Sequence, residues 1–122
     1  MQALVIDDSR AMRLILSRML RELGLDVAEA ADGLDALAVI DGGLSPELML
    51  VDWNMPRMTG IEFVVAVRQP PYSSNARLVM VTTETEVAQV LRALEAGADE
   101  YVMKPFTKDS IFEKLQLLGL EI

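Results

Sequence analysis

Five polar residues directly follow four short apolar segments of the sequence. They are Asp7 and Asp8 after the first run, Asp52 after the third, Thr82 after the fourth and Lys104 after the fifth. If these runs are parallel strands, their carboxyl ends meet at one edge of a sheet, where open α/β sheets bind their ligands. The spacing therefore predicts one site that contains three carboxylates, a hydroxyl and an ammonium group.

Such a site favours phosphoryl chemistry assisted by a hard cation. Carboxylates held close together repel one another, so the site needs a compensating positive charge. The chain has neither His nor Cys, and oxygen ligands alone favour Mg²⁺, which also accepts phosphate oxygens into its shell. An Asp beside such a metal can attack phosphorus to give an acyl phosphate. Lys and Thr side chains then neutralise and hydrogen-bond the phosphoryl oxygens.

Each of these residues also has an ordinary structural explanation. An Asp pair behind a strand is often a helix N-cap in favourable contact with the helix dipole. Taken singly, Asp52 fits a plain loop carboxylate, Thr82 a strand end with good β propensity, and Lys104 a solvated charge. Their joint placement behind four predicted strands favours the functional interpretation.

The elements that must position these side chains alternate along the chain. Strands are predicted at residues 3–6, 27–30, 48–51, 78–81 and 101–103, and the intervening segments have helical spacing. The first helix presents an apolar stripe from Met12 to Leu23, with Ser9 as its cap and Gly24 behind its end. Further helices are predicted at about 33–41, 60–69, 86–96 and 108–118, and the longest loop at 69–76. Alternation of this kind predicts an α/β fold, a doubly wound parallel sheet of five strands with five helices, in one domain covering residues 1–122.

Composition excludes several classes of function. The absence of Cys and His rules out thiol catalysis, a His-based triad and the common zinc sites. The net charge of −8 and the lack of a basic stripe argue against direct binding to nucleic acid. No apolar stretch approaches the ~20 residues that cross a bilayer, and the amino terminus does not resemble a signal peptide. A cytoplasmic location without membrane attachment is therefore expected.

Short motifs in the chain resemble those of the receiver domains of two-component response regulators, most closely the single-domain chemotaxis type. They occur in family order and span essentially the whole chain. The matching segments are Val5-Ile6-Asp7-Asp8-Ser9, Val51-Asp52-Trp53-Asn54-Met55-Pro56, Thr59-Gly60, Val81-Thr82, Gly97-Ala98 and Lys104-Pro105-Phe106. The resemblance implies a flavodoxin-like strand order of 2-1-3-4-5. It also implies a phosphoacceptor switch with its own autophosphorylation and autodephosphorylation chemistry, rather than an enzyme with an external substrate.

The resemblance assigns roles to the residues of the site. Asp52 matches the phosphoacceptor, Asp8 the acid that binds Mg²⁺ directly, and Asp7 the neighbouring acid that often binds through water. Asn54 would contribute its backbone carbonyl to the metal. Lys104 matches the lysine that contacts the phosphoryl group, and the peptide bond that follows it is expected to be cis.

Four positions are expected to govern the switch and its lifetime. Thr82 matches a hydroxyl that moves to the phosphoryl group, and Tyr101 an aromatic ring that turns inward when it does. The side chains of Asn54 and Glu84 lie two residues after the acceptor and two after the switch threonine, where the family tunes hydrolysis. An amide paired with a carboxylate there is similar to the fast-decaying chemotaxis regulators, so a short-lived phosphorylated state is expected.

The implied partners are a sensor histidine kinase and a downstream protein. The downstream protein would bind the face formed by the fourth helix, fifth strand and fifth helix. The fourth helix carries Arg92 between Glu86 and Glu95 and is not notably basic, which argues against a flagellar-motor target of the usual kind. The chain is expected to be a monomer or to dimerise on phosphorylation.

Three other interpretations compete with a single-domain receiver. A Mg²⁺-dependent aspartyl-phosphate phosphatase of the haloacid-dehalogenase type would carry an Asp-x-Asp nucleophile motif on its first strand, whereas this chain has the adjacent pair Asp7-Asp8. A flavin-binding module would need a phosphate loop there, and two acids would repel the cofactor phosphate. The chain could also be the receiver fragment of a larger transcriptional regulator, since length alone does not separate the two.

Overall fold

The structure is a computed structural model that describes residues 1–83, 87–120 and 122. Five strands alternate with five helices. The strands are β1 (Gln2–Ile6), β2 (Asp26–Ala30), β3 (Leu48–Asp52), β4 (Arg77–Thr82) and β5 (Glu100–Met103). The helices are α1 (Arg10–Glu22), α2 (Gly33–Asp41), α3 (Gly60–Arg68), α4 (Val87–Ala96) and α5 (Lys108–Leu117).

The five strands form one parallel sheet in the order β2-β1-β3-β4-β5. The central strand β3 is buried along its whole length, and β1 and β4 are buried except at their first residues. Continuous burial explains why these strands read as unbroken apolar runs. The predicted α/β class and strand order are confirmed. The strands β1, β2, β4 and β5 begin one residue before their predicted starts, β3 begins where predicted, and β3 and β4 extend one residue beyond their predicted ends.

Two hydrophobic layers lie on opposite sides of the sheet. One is covered by α1 and α5, and the other by α2, α3 and α4. The helix residues buried in the first layer are Leu16, Leu20, Ile111 and Leu115. Those in the second are Ala36, Leu37, Phe63, Val64, Val67 and Ala93. Helices on both faces are what the alternating sequence pattern predicted.

Local capping sets where the helices begin. Ser9 caps α1 by accepting a hydrogen bond from the Met12 backbone N–H at 3.2 Å, as the sequence predicted. Asp32 caps α2, and Thr59 forms a reciprocal capping box with Glu62 at the start of α3. These caps fix the loops that leave the carboxyl ends of β1, β2 and β3, and those loops surround the predicted site.

At the edge of the sheet opposite the predicted site, one arginine connects several elements through hydrogen bonds. Arg68, at the end of α3, donates to the carbonyls of Gly97, Ser74 and Ala76 at 2.6–3.1 Å. It also pairs with Asp99 at 3.0 Å, and Asp99 accepts the Leu78 backbone N–H at 2.9 Å. These bonds join α3 and the end of α4 to the starts of β4 and β5.

Two peptide bonds before proline are cis. The Lys104–Pro105 bond was expected to be cis, and the Pro70–Pro71 bond in the loop between α3 and β4 was not foreseen. That loop, from residue 69 to residue 76, is the one the sequence predicted to be longest. Within the described residues, no helix is both long and apolar enough to cross a membrane.

Candidate functional site

Three carboxylates meet at the carboxyl edge of the sheet. Ile6 of β1 pairs with Val51 of β3, so Asp7 and Asp52 leave neighbouring strands side by side. One carboxylate oxygen from each of Asp7, Asp8 and Asp52 lies within 4.8 Å of the others. Asp7 and Asp52 are buried, with 1% and 8% of their surfaces exposed, whereas Asp8 faces solvent. The sheet register thus creates the acidic cluster that the strand ends predicted.

Lys104 supplies a positive charge to this cluster. Its backbone N–H donates to the Thr82 carbonyl at 2.8 Å, which holds the end of β5 against the end of β4. Its Nζ lies 3.3 Å from Asp52 Oδ1 and 3.8 Å from Asp7 Oδ2. Lys104 therefore hydrogen-bonds Asp52 but only attracts Asp7 at longer range, and this single ammonium does not balance the three carboxylates.

Asp7 is held by hydrogen bonds at one carboxylate oxygen and at its carbonyl, whereas its other carboxylate oxygen has no partner among the described residues. Asp7 Oδ1 accepts the Ser9 backbone N–H at 2.8 Å, and the Asp7 carbonyl accepts a bond from Arg13 at 2.7 Å. Asp7 Oδ2 is buried without a hydrogen-bond partner among the described residues. A buried polar atom in this state is normally satisfied by water or by an ion.

Burial and mutual repulsion disfavour negative charge in the cluster. The pKa of Asp52 is raised to about 6, first by burial and then by the negative charge of Asp7, while Lys104 acts in the opposite direction. Burial also raises the pKa of Asp7, although the hydrogen bond from Ser9 N–H lowers it. A cation bound between the carboxylates would offset both effects.

The donor set fits a hard divalent cation. Every candidate ligand is an oxygen atom, one of these oxygens has no hydrogen bond to any residue that the structure describes, and Asp8 keeps the cluster open to solvent. Mg²⁺ binds through one or two carboxylates and retains several waters, which matches a cluster that is half buried and half exposed. An Asp52 carboxylate next to this position could act as a nucleophile towards phosphorus.

Comparisons with known proteins agree with this geometry. Residues 3–116 match the family model described as the response regulator receiver domain. The chain belongs to the response regulator receiver family. It is 40% identical over 119 residues to the chemotaxis protein CheY1 of Helicobacter pylori, covering 97% of this chain and 96% of that protein. It is 41% identical to the chemotaxis protein CheY homolog of Campylobacter jejuni, covering 95% and 90% of the two chains.

A solved structure supports the same assignment. The chemotaxis response regulator CheY4 of Vibrio cholerae superposes on this receiver with a TM-score of 0.88 at 35% identity, covering 96% of this chain and 97% of that one. The family resemblance inferred from the motifs is therefore confirmed. As a receiver domain, the chain is a phosphoacceptor signalling switch.

Two residues implicated in switching lie on one side of the receiver's sheet. Thr82 is the last residue of β4 and is buried, and Tyr101 pairs with Met80 two residues before it. Residues two apart in a strand point to the same face, so Thr82 and Met80 share a face. Tyr101 packs partly against the core layer that contains Met80, and Lys114 Nζ lies 4.8 Å from the centre of its ring.

Of the two residues expected to tune hydrolysis of the acyl phosphate, the structure describes one, Asn54. Asn54 is exposed in the loop that follows Asp52. Glu84 lies outside the described residues, and so does Glu86, which was expected to begin the fourth helix. Thr83, directly before the gap, is exposed.

One ionic feature beside the site was missed by the sequence reasoning. Arg57, in the loop between β3 and α3, makes a two-pronged hydrogen bond to Asp32, the buried cap of α2. The hydrogen bond from Arg57 is also the main reason that the pKa of Asp32 is lowered. The Asp32-Gly33 pair signals a helix start, but nothing local relates it to an arginine 25 residues away.

Proposed function

We propose that this receiver takes a phosphoryl group onto Asp52 from the phosphohistidine of a sensor kinase, with Mg²⁺ as cofactor, and so controls a protein partner. The observation that carries this proposal is the position of the buried Asp52, which lies within reach of Lys104 and beside an Asp7 oxygen that has no hydrogen-bond partner in the described part of the chain. Asp7, Asp8, Asp52 and the backbone carbonyl of Asn54 would hold the ion. When bound, Mg²⁺ supplies positive charge to the phosphoryl oxygens.

Phosphoryl transfer follows from the placement of Asp52 and Lys104. A carboxylate oxygen of Asp52 attacks phosphorus in line with the departing nitrogen of the donor imidazole. A phosphorus–oxygen bond forms and the phosphorus–nitrogen bond breaks, and the imidazole takes the electron pair and a proton. The phosphoryl group carries about −1.5 to −2 charges, and it replaces the single negative charge of the Asp52 carboxylate in an already acidic site. Lys104 then moves its hydrogen bond from the Asp52 carboxylate to a phosphoryl oxygen.

The switch acts through Thr82 and Tyr101. The Thr82 hydroxyl donates to a phosphoryl oxygen after moving towards it, and the Tyr101 ring fills the vacated space. A near-complete shift between two packings needs ~5.5 kcal/mol of differential stabilisation. A few charge-assisted hydrogen bonds of about 1.5–3 kcal/mol each supply that amount. The signal thus reaches the outer face of the domain as a change in packing.

The downstream partner binds the face formed by α4, β5 and α5. Each of these elements exposes a large apolar side chain that a bound partner would cover. They are Leu91 of α4, Met103 of β5 and Leu117 of α5, at 51%, 39% and 75% exposure. Because the relatives above are named chemotaxis proteins, the proposed process is chemotactic signalling.

Reversal of the signal is intrinsic to the domain. Asn54 and Glu84 adjust the access and orientation of the water that hydrolyses the acyl phosphate, which keeps the phosphorylated state short-lived. Replacing either residue by Ala should lengthen the phosphorylated lifetime, measured by the decay of radiolabelled protein. Unchanged decay in both variants would contradict this part of the proposal. We also propose that residues 1–122 act as one domain, either as a monomer or as a dimer formed on phosphorylation.

Intrinsic fluorescence provides the test of the central proposal. Trp53 follows Asp52 directly and packs partly against the core, so its emission should report events at the site. Mg²⁺ should change the emission saturably, and beryllofluoride, which mimics the phosphoryl group, should change it further. The second response should vanish in Asp52→Asn, whose fold is checked by circular dichroism. A folded protein that responds to neither reagent would overturn the proposal.

A further inference from the structure

The loop that follows the phosphoacceptor has few main-chain hydrogen bonds to the described residues. Residues 54–57 lie between β3 and the cap of α3. Among the described residues, their one backbone–backbone hydrogen bond is internal to the loop, from Met58 N–H to the Pro56 carbonyl at 2.6 Å. The loop is closed at its base by Gly60 N–H, which donates to the Trp53 carbonyl at 3.0 Å. Its conformation must therefore be set largely by side chains.

Two side chains anchor this loop. Met55 is buried in the core layer beneath α3, and Arg57 reaches across to the start of α2. Arg57 Nε donates to Asp32 Oδ2 at 2.7 Å, and its Nη2 donates to Asp32 Oδ1 and to Asp35 Oδ1, each at 2.9 Å. Asp32 is only 4% exposed, so the planar guanidinium binds a carboxylate that is itself held in place.

The backbone at Arg57 adopts a conformation that needs support from its surroundings. Arg57 has a φ of +64°, a left-handed conformation that L-residues adopt infrequently. Such a conformation persists when its surroundings over-determine it, and the bonds to Asp32 and Asp35 do so. Asn54, whose carbonyl belongs to the proposed metal site, lies three residues before this anchor.

We propose that Arg57 and Asp32 form a clamp that positions the loop carrying Asn54 and thereby sets the affinity of the site for Mg²⁺. The inference rests on the proposed function, because it concerns the metal site described there. Arg57 acts as a positioning residue: it holds the loop that presents the Asn54 carbonyl and has no ligand role itself.

Conservative variants separate the clamp from other effects. In Arg57→Asn the guanidinium is lost, but Asn tolerates the left-handed conformation. In Asp32→Asn the charge is lost, but Asn remains a good N-cap for α2. Asp35→Asn serves as the control, because Asp35 accepts one bond from Arg57 and its side chain is 49% exposed.

Titration of Trp53 fluorescence with Mg²⁺ should reveal the clamp. Arg57→Asn and Asp32→Asn should each weaken Mg²⁺ binding by about 3- to 10-fold, at or below the lower limit of the effects known for residues that orient metal ligands directly, because Arg57 acts through the loop backbone. The double variant should bind no more weakly than either single variant, since both remove one interaction. Asp35→Asn should stay within about twofold of the wild type.

The direction of the change in Mg²⁺ affinity distinguishes a positioning role of Arg57 from a purely electrostatic one. If Arg57 acted only through its charge, its removal would tighten Mg²⁺ binding and removal of the Asp32 charge would weaken it. Opposite signs in the two variants would therefore overturn the clamp. Amide hydrogen exchange of the metal-free protein gives an independent readout. Exchange at Trp53 and Met58 should accelerate in both variants while α5 stays unchanged.

The wild-type titration separates failure of the clamp from failure of the proposed function. A wild-type protein without a Mg²⁺ response would overturn the proposed function, and the clamp's metal role with it. A normal wild-type response with unchanged affinity and unchanged loop exchange in both variants would overturn the clamp alone.

Discussion

The two edges of the sheet handle charge in opposite ways. At the amino edge, Arg68 hydrogen-bonds backbone carbonyls and Asp99, and Asp99 also accepts a hydrogen bond from the backbone. At the carboxyl edge, Asp7 and Asp52 are more deeply buried and share one lysine, and one Asp7 oxygen has no hydrogen-bond partner among the residues that the structure describes. Charged groups that have hydrogen-bond partners within the protein stabilise the fold, whereas a charged group that lacks such partners retains affinity for a ligand. The contrast indicates that the carboxyl edge trades stability for function.

Replacing Arg68 should have the largest effect on stability. Arg68→Met keeps most of the side chain's apolar stem but leaves Asp99 and several carbonyls without their partner. Breaking a partly buried ion pair of this kind should lower the free energy of unfolding by about 2–4 kcal/mol, as measured by urea denaturation. The affinity for Mg²⁺ should stay within about twofold of the wild-type value, because Arg68 lies at the amino edge and the acidic cluster at the carboxyl edge. A large change in the affinity for Mg²⁺ would contradict the conclusion that the two edges act separately.

Neutralising Asp52 should have the reverse effect on stability. In metal-free protein at pH 7.5, Asp52→Asn removes a buried charge whose pKa is raised to about 6 from an ordinary value of 3.8. The variant should be more stable than the wild type by about 1–3 kcal/mol, since each pKa unit corresponds to about 1.4 kcal/mol. Thermal unfolding in EDTA measures the difference. A destabilised variant would mean that Lys104 fully compensates the carboxylate.

The stability of the metal-free protein should fall as pH rises. Asp52 has a higher pKa when folded than when unfolded, so the folded state holds its proton more tightly between pH 4 and pH 6. This contribution is present below about pH 4 and is lost as pH passes through about 6. Between pH 5 and pH 7.5 the loss should be about 1–2 kcal/mol, and Asp7 should act in the same direction.

Two comparisons check the origin of this pH dependence. The slope of stability against pH should be smaller in Asp52→Asn than in the wild type. Mg²⁺ that binds only the folded state should restore stability above pH 6. An equally steep slope in Asp52→Asn would place the titrating group elsewhere.

The smallest effect is expected at an exposed ion pair. Lys108 and Glu22 lie 3.0 Å apart, shorter than the 3.3 Å between Lys104 and Asp52, but their side chains are 47% and 49% exposed. Lys108→Gln should change the free energy of unfolding by no more than about 0.5 kcal/mol, because exposed pairs contribute little. Chemical denaturation at low and high salt measures this. A larger loss would show that distance, not burial, governs the contrast between the edges.

Prediction from sequence worked where local pattern and topology act together. Apolar runs such as residues 48–51 and caps such as Ser9 identified the elements, and parallel topology alone places Asp7, Asp52, Thr82 and Lys104 at one edge. The family resemblance then named the strand order and the role of each residue. The sequence did not predict how deeply each of these side chains is buried or which of them are hydrogen-bonded to each other. Both properties depend on neighbours from several elements.

The sequence by itself determined the α/β class, the order of elements and the acidic edge, since periodicity and capping are local properties of the chain. Only the tertiary structure decided that a buried Asp7 oxygen has no hydrogen-bond partner among residues 1–83, 87–120 and 122, that Lys104 lies nearer to Asp52 than to Asp7, and that Arg57 hydrogen-bonds Asp32. These features join residues 25 to 97 positions apart. Their distances follow from the sheet register and from the packing of helices and loops around it, which no local pattern encodes.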